Sequence, residues 1–140
     1  SDGDFTSLCI AIEELGQVSQ SLGITLSAGV GLGANPIHSF GNEQQQNEWL
    51  PDLVAGRRLG AFGLTEPDAG SDAGGTRTRA TYDAATDEWV LNGSKAFITN
   101  SGTAITSVVT VTALTGPATD GRSPEISSFI VPAGTPGMLV

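Results

Sequence analysis

Two stretches of the chain hold side chains whose types and spacing suit chemistry. The first is FGLTEPDAGSD, from Phe62 to Asp72. Apolar Phe62 and Leu64 leave a short strand, and Thr65 places a hydroxyl at its end. Pro67 ends pairing, and Gly70 permits positive φ. Ser71 offers a hydroxyl and a backbone N–H beside a glycine, and successive N–H groups in such a loop form an anion nest. A large planar heterocycle with a phosphate tail needs these parts. A tight loop whose Asp and Ser residues cap local turns has the same composition. The second stretch runs from Asn92 to Gly102 (NGSKAFITNSG). Asn92-Gly93 predicts a hairpin turn, with Lys95 to Thr99 as the returning strand. Period 2 then puts Phe97 and Thr99 on one face. An aromatic can pack on a flat ring while a hydroxyl bonds its edge.

Other reactive side chains are scarce. Cys9 is the only cysteine, which excludes an intramolecular disulfide and a cysteine-based metal site. Between Leu8 and Ile10 it is expected to be a buried apolar residue. His38 is the only histidine and reads as a helix-end or surface residue. Glu13 and Glu14 read as a solvated helix face. Gly29-Val30-Gly31-Leu32-Gly33 has the letters of a dinucleotide fingerprint but follows a helical pattern and lacks a βαβ unit. It reads instead as a place where two helices approach closely.

The totals exclude several partners. Net charge is −9 with 6 Lys+Arg in 140 residues, so no basic patch for nucleic acid can be assembled. An anionic membrane surface is excluded on the same ground. No apolar run approaches the roughly 20 residues of a membrane span. The N-terminus has no basic or apolar signal region, so a cytoplasmic chain is expected. It also lacks an initiator Met, and a piece of a longer protein is expected.

The elements that must position these residues come in two groups. Phe5, Leu8, Ile12, Leu15, Val18, Leu22 and Leu26 step by threes and fours along one helix face, capped at Thr6 or Ser7. A break is expected near Gly23, then a helix from Ile24 to about Ala34, with a kink or boundary at Asn35-Pro36. A third helix spans Asn42 to about Ala55, with Pro51 as a flaw and Gly56 as its C′ residue. Beyond Arg58 the pattern turns to strands: Ala61–Leu64, Thr76–Tyr82, Trp89–Leu91, Lys95–Thr99, Ser107–Leu114 and Ile126–Val131, with another starting at Met138. The last strand has no partner, which again suggests truncation.

The two stretches, in this order, closely resemble the acyl-CoA dehydrogenase family of flavoproteins, whose usual forms are near LTEPGAGSD and LNGxKxWITN. The resemblance runs upstream through HSFGNEQQQNEWLPDLVAGRRLGAFGLTEP and downstream through ISSFIVPAGTPGMLV, so nearly all of residues 4–140 is covered. It implies an α+β chain. Residues 1–58 would be the C-terminal part of the family's N-terminal helical domain. Residues 59–140 would be an incomplete antiparallel β-barrel, its middle domain, with the C-terminal four-helix domain absent.

The resemblance also implies a cofactor and a reaction. FAD would be lined by Phe62, Leu64, Thr65, Gly70 and Ser71 on one side and by Phe97, Ile98 and Thr99 on the other. Backbone groups near Leu64 and Thr65 would meet the pyrimidine edge, and the Thr99 hydroxyl would lie near N5. Ser71 would also lie near the acyl-CoA chain, and Arg122 near the CoA phosphates. The family reaction is α,β-dehydrogenation of an acyl-CoA thioester to the trans-2-enoyl-CoA, with hydride passing to flavin N5 and electrons then to an electron-transferring flavoprotein. The family's catalytic Glu lies in the C-terminal domain, so no residue here is assigned as catalytic base, Glu66 and Glu125 included, and the chain alone is expected to be inactive. Full-length relatives form homodimers or homotetramers. Two departures stand out: Phe97 where many relatives have Trp, and Asp68 where many have Gly. A non-catalytic remnant, and an acyl-CoA oxidase or flavin monooxygenase of the same fold, are the alternatives.

Overall fold

In the computed structural model, the described residues are 4–117 and 124–140. Helices come first, α1 (Phe5–Val18), α2 (Gln20–Ala28), α3 (Asn35–Phe40) and α4 (Glu43–Val54), and strands follow. The α1 cap is Asp4, whose carboxylate accepts the Ser7 N–H at 2.8 Å, two or three residues earlier than expected. Cys9, expected inside, is exposed. The reason is that α1 buries none of its residues against the described chain and packs chiefly on α2. The break between α1 and α2 falls at Ser19, not Gly23. Gly23 instead lies buried within α2, where a Cβ would stand 3.3 Å from the Ile12 carbonyl oxygen of α1.

The glycine-rich run is neither a dinucleotide loop nor a meeting of two helices. Gly29–Ala34 forms a π-helix that continues α2 into α3. Asn35-Pro36 marks where π gives way to α, and Pro36 sits in the first turn of α3. The π-helix packs on a strand. A Cβ at Gly33 would come within 2.8 Å of the Gly60 carbonyl oxygen, and a Cβ at Gly60 within 2.8 Å of the Gly33 Cα. The third predicted helix forms as α4, opened by a reciprocal capping box between Asn42 and Gln45. It accommodates Pro51 and ends before Gly56, which takes φ +68°.

The strands are β1 (Leu59–Gly63), β2 (Arg79–Asp83), β3 (Glu88–Asn92), β4 (Thr106–Gly116) and β5 (Glu125–Pro132). The chain is thus α+β, but its sheet is mixed rather than antiparallel throughout. β4 lies at its centre, parallel to β1 and β2 and antiparallel to β5, while β2 and β3 form an antiparallel hairpin. The β-branched run of β4 is buried on both faces, as a central strand should be. Val108, Val109, Ile37 and Ala61 are all buried, the two valines on opposite faces of the sheet.

Three strand expectations fail. Thr76–Thr78 does not pair as a strand, because its N–H groups are drawn to a carboxylate described below. Residues 95–99 and 138–140 form no strand. Asn92-Gly93 is not a hairpin turn either: neither residue has positive φ. Gly93 instead packs flat on Thr78, where a Cβ would come within 2.7 Å of the Thr78 Cα.

The Gly33–Gly60 approach yields a prediction. Gly33→Ala should destabilise the chain by about 1–3 kcal/mol, because neighbouring backbone must move. Gly31→Ala, with nothing within 4 Å of its Cβ, should be neutral or mildly stabilising. Urea unfolding of the two variants checks the contrast.

Candidate functional site

The two stretches singled out in the sequence are bound to one another in space. Leaving β1, the chain turns sharply: Glu66 and Ala69 exchange backbone hydrogen bonds of 2.9 and 3.2 Å around Pro67 and Asp68. This turn buries the Glu66 side chain, which is 6% exposed. Glu66 Oε2 accepts the Arg77 N–H at 2.7 Å, and Oε1 accepts the Thr78 N–H at 3.0 Å and the Thr76 hydroxyl. The two N–H groups are donors that a strand at 76–78 would have given to neighbours.

The countercharge comes from the other stretch. Lys95 is the chain's single lysine. Its Nζ donates to Glu66 Oε1 at 2.8 Å, to the Leu64 carbonyl at 3.1 Å, and to the Thr76 and Thr112 hydroxyls at 3.2 Å each. Thr112 in turn donates to the Gly63 carbonyl at 3.3 Å. Gly63 leaves room for the lysine stem, since a Cβ there would lie 3.2 Å from the Lys95 Cγ. One residue on, the Ala96 N–H donates to the Thr65 carbonyl at 2.9 Å. Burial by itself pushes the Glu66 carboxyl up. Hydrogen bonds from Lys95, Thr76, Thr78 and the Arg77 N–H outweigh it and hold the group well below the usual carboxylate range. Such a carboxylate is permanently ionised at neutral pH and its oxygens are occupied. It is unsuited to remove a proton from carbon.

Around this buried knot the expected site residues lie at the surface. Leu64, Gly70, Ser71 and Thr99 are exposed, and Phe62, Thr65 and Ile98 are half-buried. Phe97 is 94% exposed and takes φ +59°. That conformation is rare for an aromatic residue and persists only where its surroundings impose it. Phe97 and Thr99 are therefore not related by strand period, as expected, but by a turn. In it Ser101 donates twice to the Ile98 carbonyl, and Asn100 and Gly102 both take φ +68°. Gly70 has no positive φ and no atom within 4 Å of a Cβ, so open space surrounds it. Asp68 forms an ion pair of 2.7 Å with Arg77, both exposed, an arrangement of small energetic weight. Arg122 lies outside the described residues.

The site's donor set is thus an exposed aromatic ring, two hydroxyls at Thr65 and Thr99, and backbone groups between them, all on a rigid frame. This set suits one side of a flat heteroaromatic ligand. The framing residues Lys95, Thr76, Thr78 and Thr112 were not anticipated from sequence. The available signal was the chain's one lysine lying inside a motif, since lysine is otherwise a surface residue. No group of His, Cys, Asp and Glu suited to a metal occurs among the described residues. Among the described residues no helix is long and apolar enough to cross a membrane.

Comparison with known proteins places the chain. Residues 61–140 match the acyl-CoA dehydrogenase middle domain and residues 1–57 the acyl-CoA dehydrogenase N-terminal domain. The chain belongs to the acyl-CoA dehydrogenase family. It is 49% identical over 140 residues to the probable acyl-CoA dehydrogenase YngJ of Bacillus subtilis, covering all of this chain and 36% of that protein. The butyryl-CoA dehydrogenase of Megasphaera elsdenii superposes with a TM-score of 0.86 at 45% identity, over 98% of this chain and 34% of that one. An acyl-CoA dehydrogenase from Bacillus anthracis complexed with FAD aligns with a TM-score of 0.68 at 44% identity, over 79% and 18% respectively. The chain spans about a third of the length of the curated relatives it matches.

The depressed Glu66 carboxyl predicts a pH dependence. Its ordinary value is 4.5 and the fold lowers it, so its stabilisation is complete above that value and is lost as pH falls below it. The difference in unfolding free energy between the parent chain and Glu66→Gln should be flat near neutrality and shrink below about pH 4.5. Urea titrations at a series of pH values measure it. Lys95→Met should cost about 3–5 kcal/mol at neutral pH, because it leaves a buried carboxylate unpaired.

Proposed function

We propose that this chain is the cofactor-facing part of an FAD-dependent acyl-CoA dehydrogenase. The observation that carries the reading is the backbone bond between Ala96 and Thr65. It sets an exposed, left-handed Phe97 next to the Leu64–Thr65 edge. Phe97 would cover the isoalloxazine ring, with Ile98 beside it and the Thr99 hydroxyl at its edge. Phe62, Leu64 and Thr65 would line the other stretch of the ring, with the Thr65 hydroxyl and N–H as donors. Gly70 and Ser71, both exposed, would lie along the phosphate tail, and the open space at Gly70 suits a close approach. Ser71 and Arg122 would contact acyl-CoA.

When bound, FAD supplies the two-electron acceptor for α,β-dehydrogenation of an acyl-CoA thioester to the trans-2-enoyl-CoA. The residues of this chain bind and orient; none of them moves the α-proton. Glu66 is held as an occupied anion, and Glu125 is at the surface at the start of β5. The base would come from elsewhere in a longer protein, as would the rest of the cofactor site. An electron-transferring flavoprotein would take the electrons onward, and the complete enzyme would be a homodimer or homotetramer.

Two measurements test the reading. Titration of FAD with the chain should quench flavin fluorescence, and Phe97→Ala should weaken binding several-fold, in keeping with about 1 kcal/mol for an aromatic contact. Quenching by the parent chain that Phe97→Ala leaves unchanged would sink the assignment of Phe97. With butyryl-CoA and a dye acceptor, the chain supplied with FAD should show no turnover. Dye reduction above background would mean that a base is present after all.

A further inference from the structure

The Glu66–Lys95 pair has no part in binding or chemistry as described above, yet it is the most heavily partnered charged pair among the described residues. A lysine ammonium has three N–H bonds. Lys95 spends them on four acceptors, of which only one is its ion-pair partner. The Leu64 carbonyl is the telling one. A trans peptide holds its C=O and N–H antiparallel. Fixing the Leu64 oxygen on Lys95 therefore turns the Thr65 N–H away from the buried pair. Among the described residues that N–H makes no hydrogen bond. The next peptide is fixed likewise: the Thr65 carbonyl accepts Ala96 N–H at 2.9 Å while the Glu66 N–H points back to the Ala69 carbonyl at 2.9 Å. Lys95 immediately precedes Ala96, and Phe97 follows with φ +59°. The Lys95 side chain thus holds the first of these peptides directly, and the backbone of its neighbour Ala96 holds the second at the point where the left-handed turn begins.

We propose that Lys95 is a positioning residue for the flavin site: through the Leu64 carbonyl and Glu66 it aims the Thr65 N–H outward as a hydrogen-bond donor and holds Phe97 left-handed as a platform. The proposal rests on the reading of Thr65 and Phe97 as cofactor-facing. Gly63 belongs to the device, because a Cβ there would crowd the Lys95 stem at 3.2 Å and push it by a few tenths of an ångström. The alternative is that the pair merely stabilises the fold as a whole, in which case its loss would loosen core and site together.

Amide hydrogen exchange on the chain without flavin separates the two. Val108 and Val109 of β4 report the core, and Ala96 and Phe97 report the site. In Lys95→Met, Ala96 protection should fall at least about 100-fold more than that of Val108 and Val109. The short intraresidue contact between the Phe97 amide and α hydrogens, a mark of positive φ, should vanish. Lys95→Cys in a Cys9→Ser background, aminoethylated while unfolded and then refolded, rebuilds a lysine-like ammonium and should restore both signals. If Lys95→Met does not fold, Gly63→Ala, which keeps both charges and crowds only the stem, should perturb Ala96 and Phe97 more than the core. Unchanged Ala96 and Phe97 signals in Lys95→Met would overturn the proposal. So would equal loss at site and core that aminoethylation reverses equally. FAD titration of the same variants is read separately. Where the parent chain binds FAD, unchanged affinity in Phe97→Ala refutes the cofactor reading, while the exchange pattern still decides whether Lys95 sets this geometry.

Discussion

A single buried ion pair joins the two halves of the β region. Glu66 enters from the loop after β1, and Lys95 from the segment after β3, and they meet at 2.8 Å. Burying either charge alone costs several kcal/mol, so neither segment can adopt its observed path without the other. The remaining oxygen and hydrogen positions are filled by Thr76, Thr78, Arg77, Thr112 and the Leu64 carbonyl. Thr112 lies on β4 and Gly63 at the end of β1, so the same cluster is anchored on the parallel pair at the sheet's centre.

The constraint propagates in both directions. Toward the core, β1 is held against β4 and presents Gly60 to the π-helix at Gly33, which ties the helical region to the sheet. Toward the surface, the pair fixes the peptides at Leu64–Glu66 and delivers Ala96 to Thr65, leaving Phe97 exposed in a conformation it would not choose alone. A rigid interior and a strained, open rim are the combination expected where a flat ligand must be received without reorganisation. The exposed apolar side chains of α1 and α2 are of a different kind. They lie on helices that the described residues leave uncovered, in a chain about a third as long as its relatives.

Much of the local structure was legible from sequence. Helices precede strands, Asn42 caps α4, Gly56 ends it, and the β-branched run of Ser107–Leu114 is the central strand. Each follows from a preference acting within a few residues. The family motifs were legible too, and with them the stretches that meet in the site. Less legible was the hydrogen bonding of Thr76–Thr78, whose alternation reads as strand. Its donors serve Glu66, ten to twelve residues away.

The sequence by itself determined the order of elements, the family and the composition of both loops. Tertiary structure alone decided that β1 runs parallel to β4, that Asn92-Gly93 does not turn a hairpin, and that Phe97 is left-handed. The physical reason is a difference in size. A turn or strand preference is worth at most about 1 kcal/mol. An unpaired buried carboxylate or ammonium costs several times that. Where the two conflict, as between Asn92 and Thr99, the chain follows the charge: Lys95 goes to Glu66, and the backbone around it takes whatever path that meeting requires.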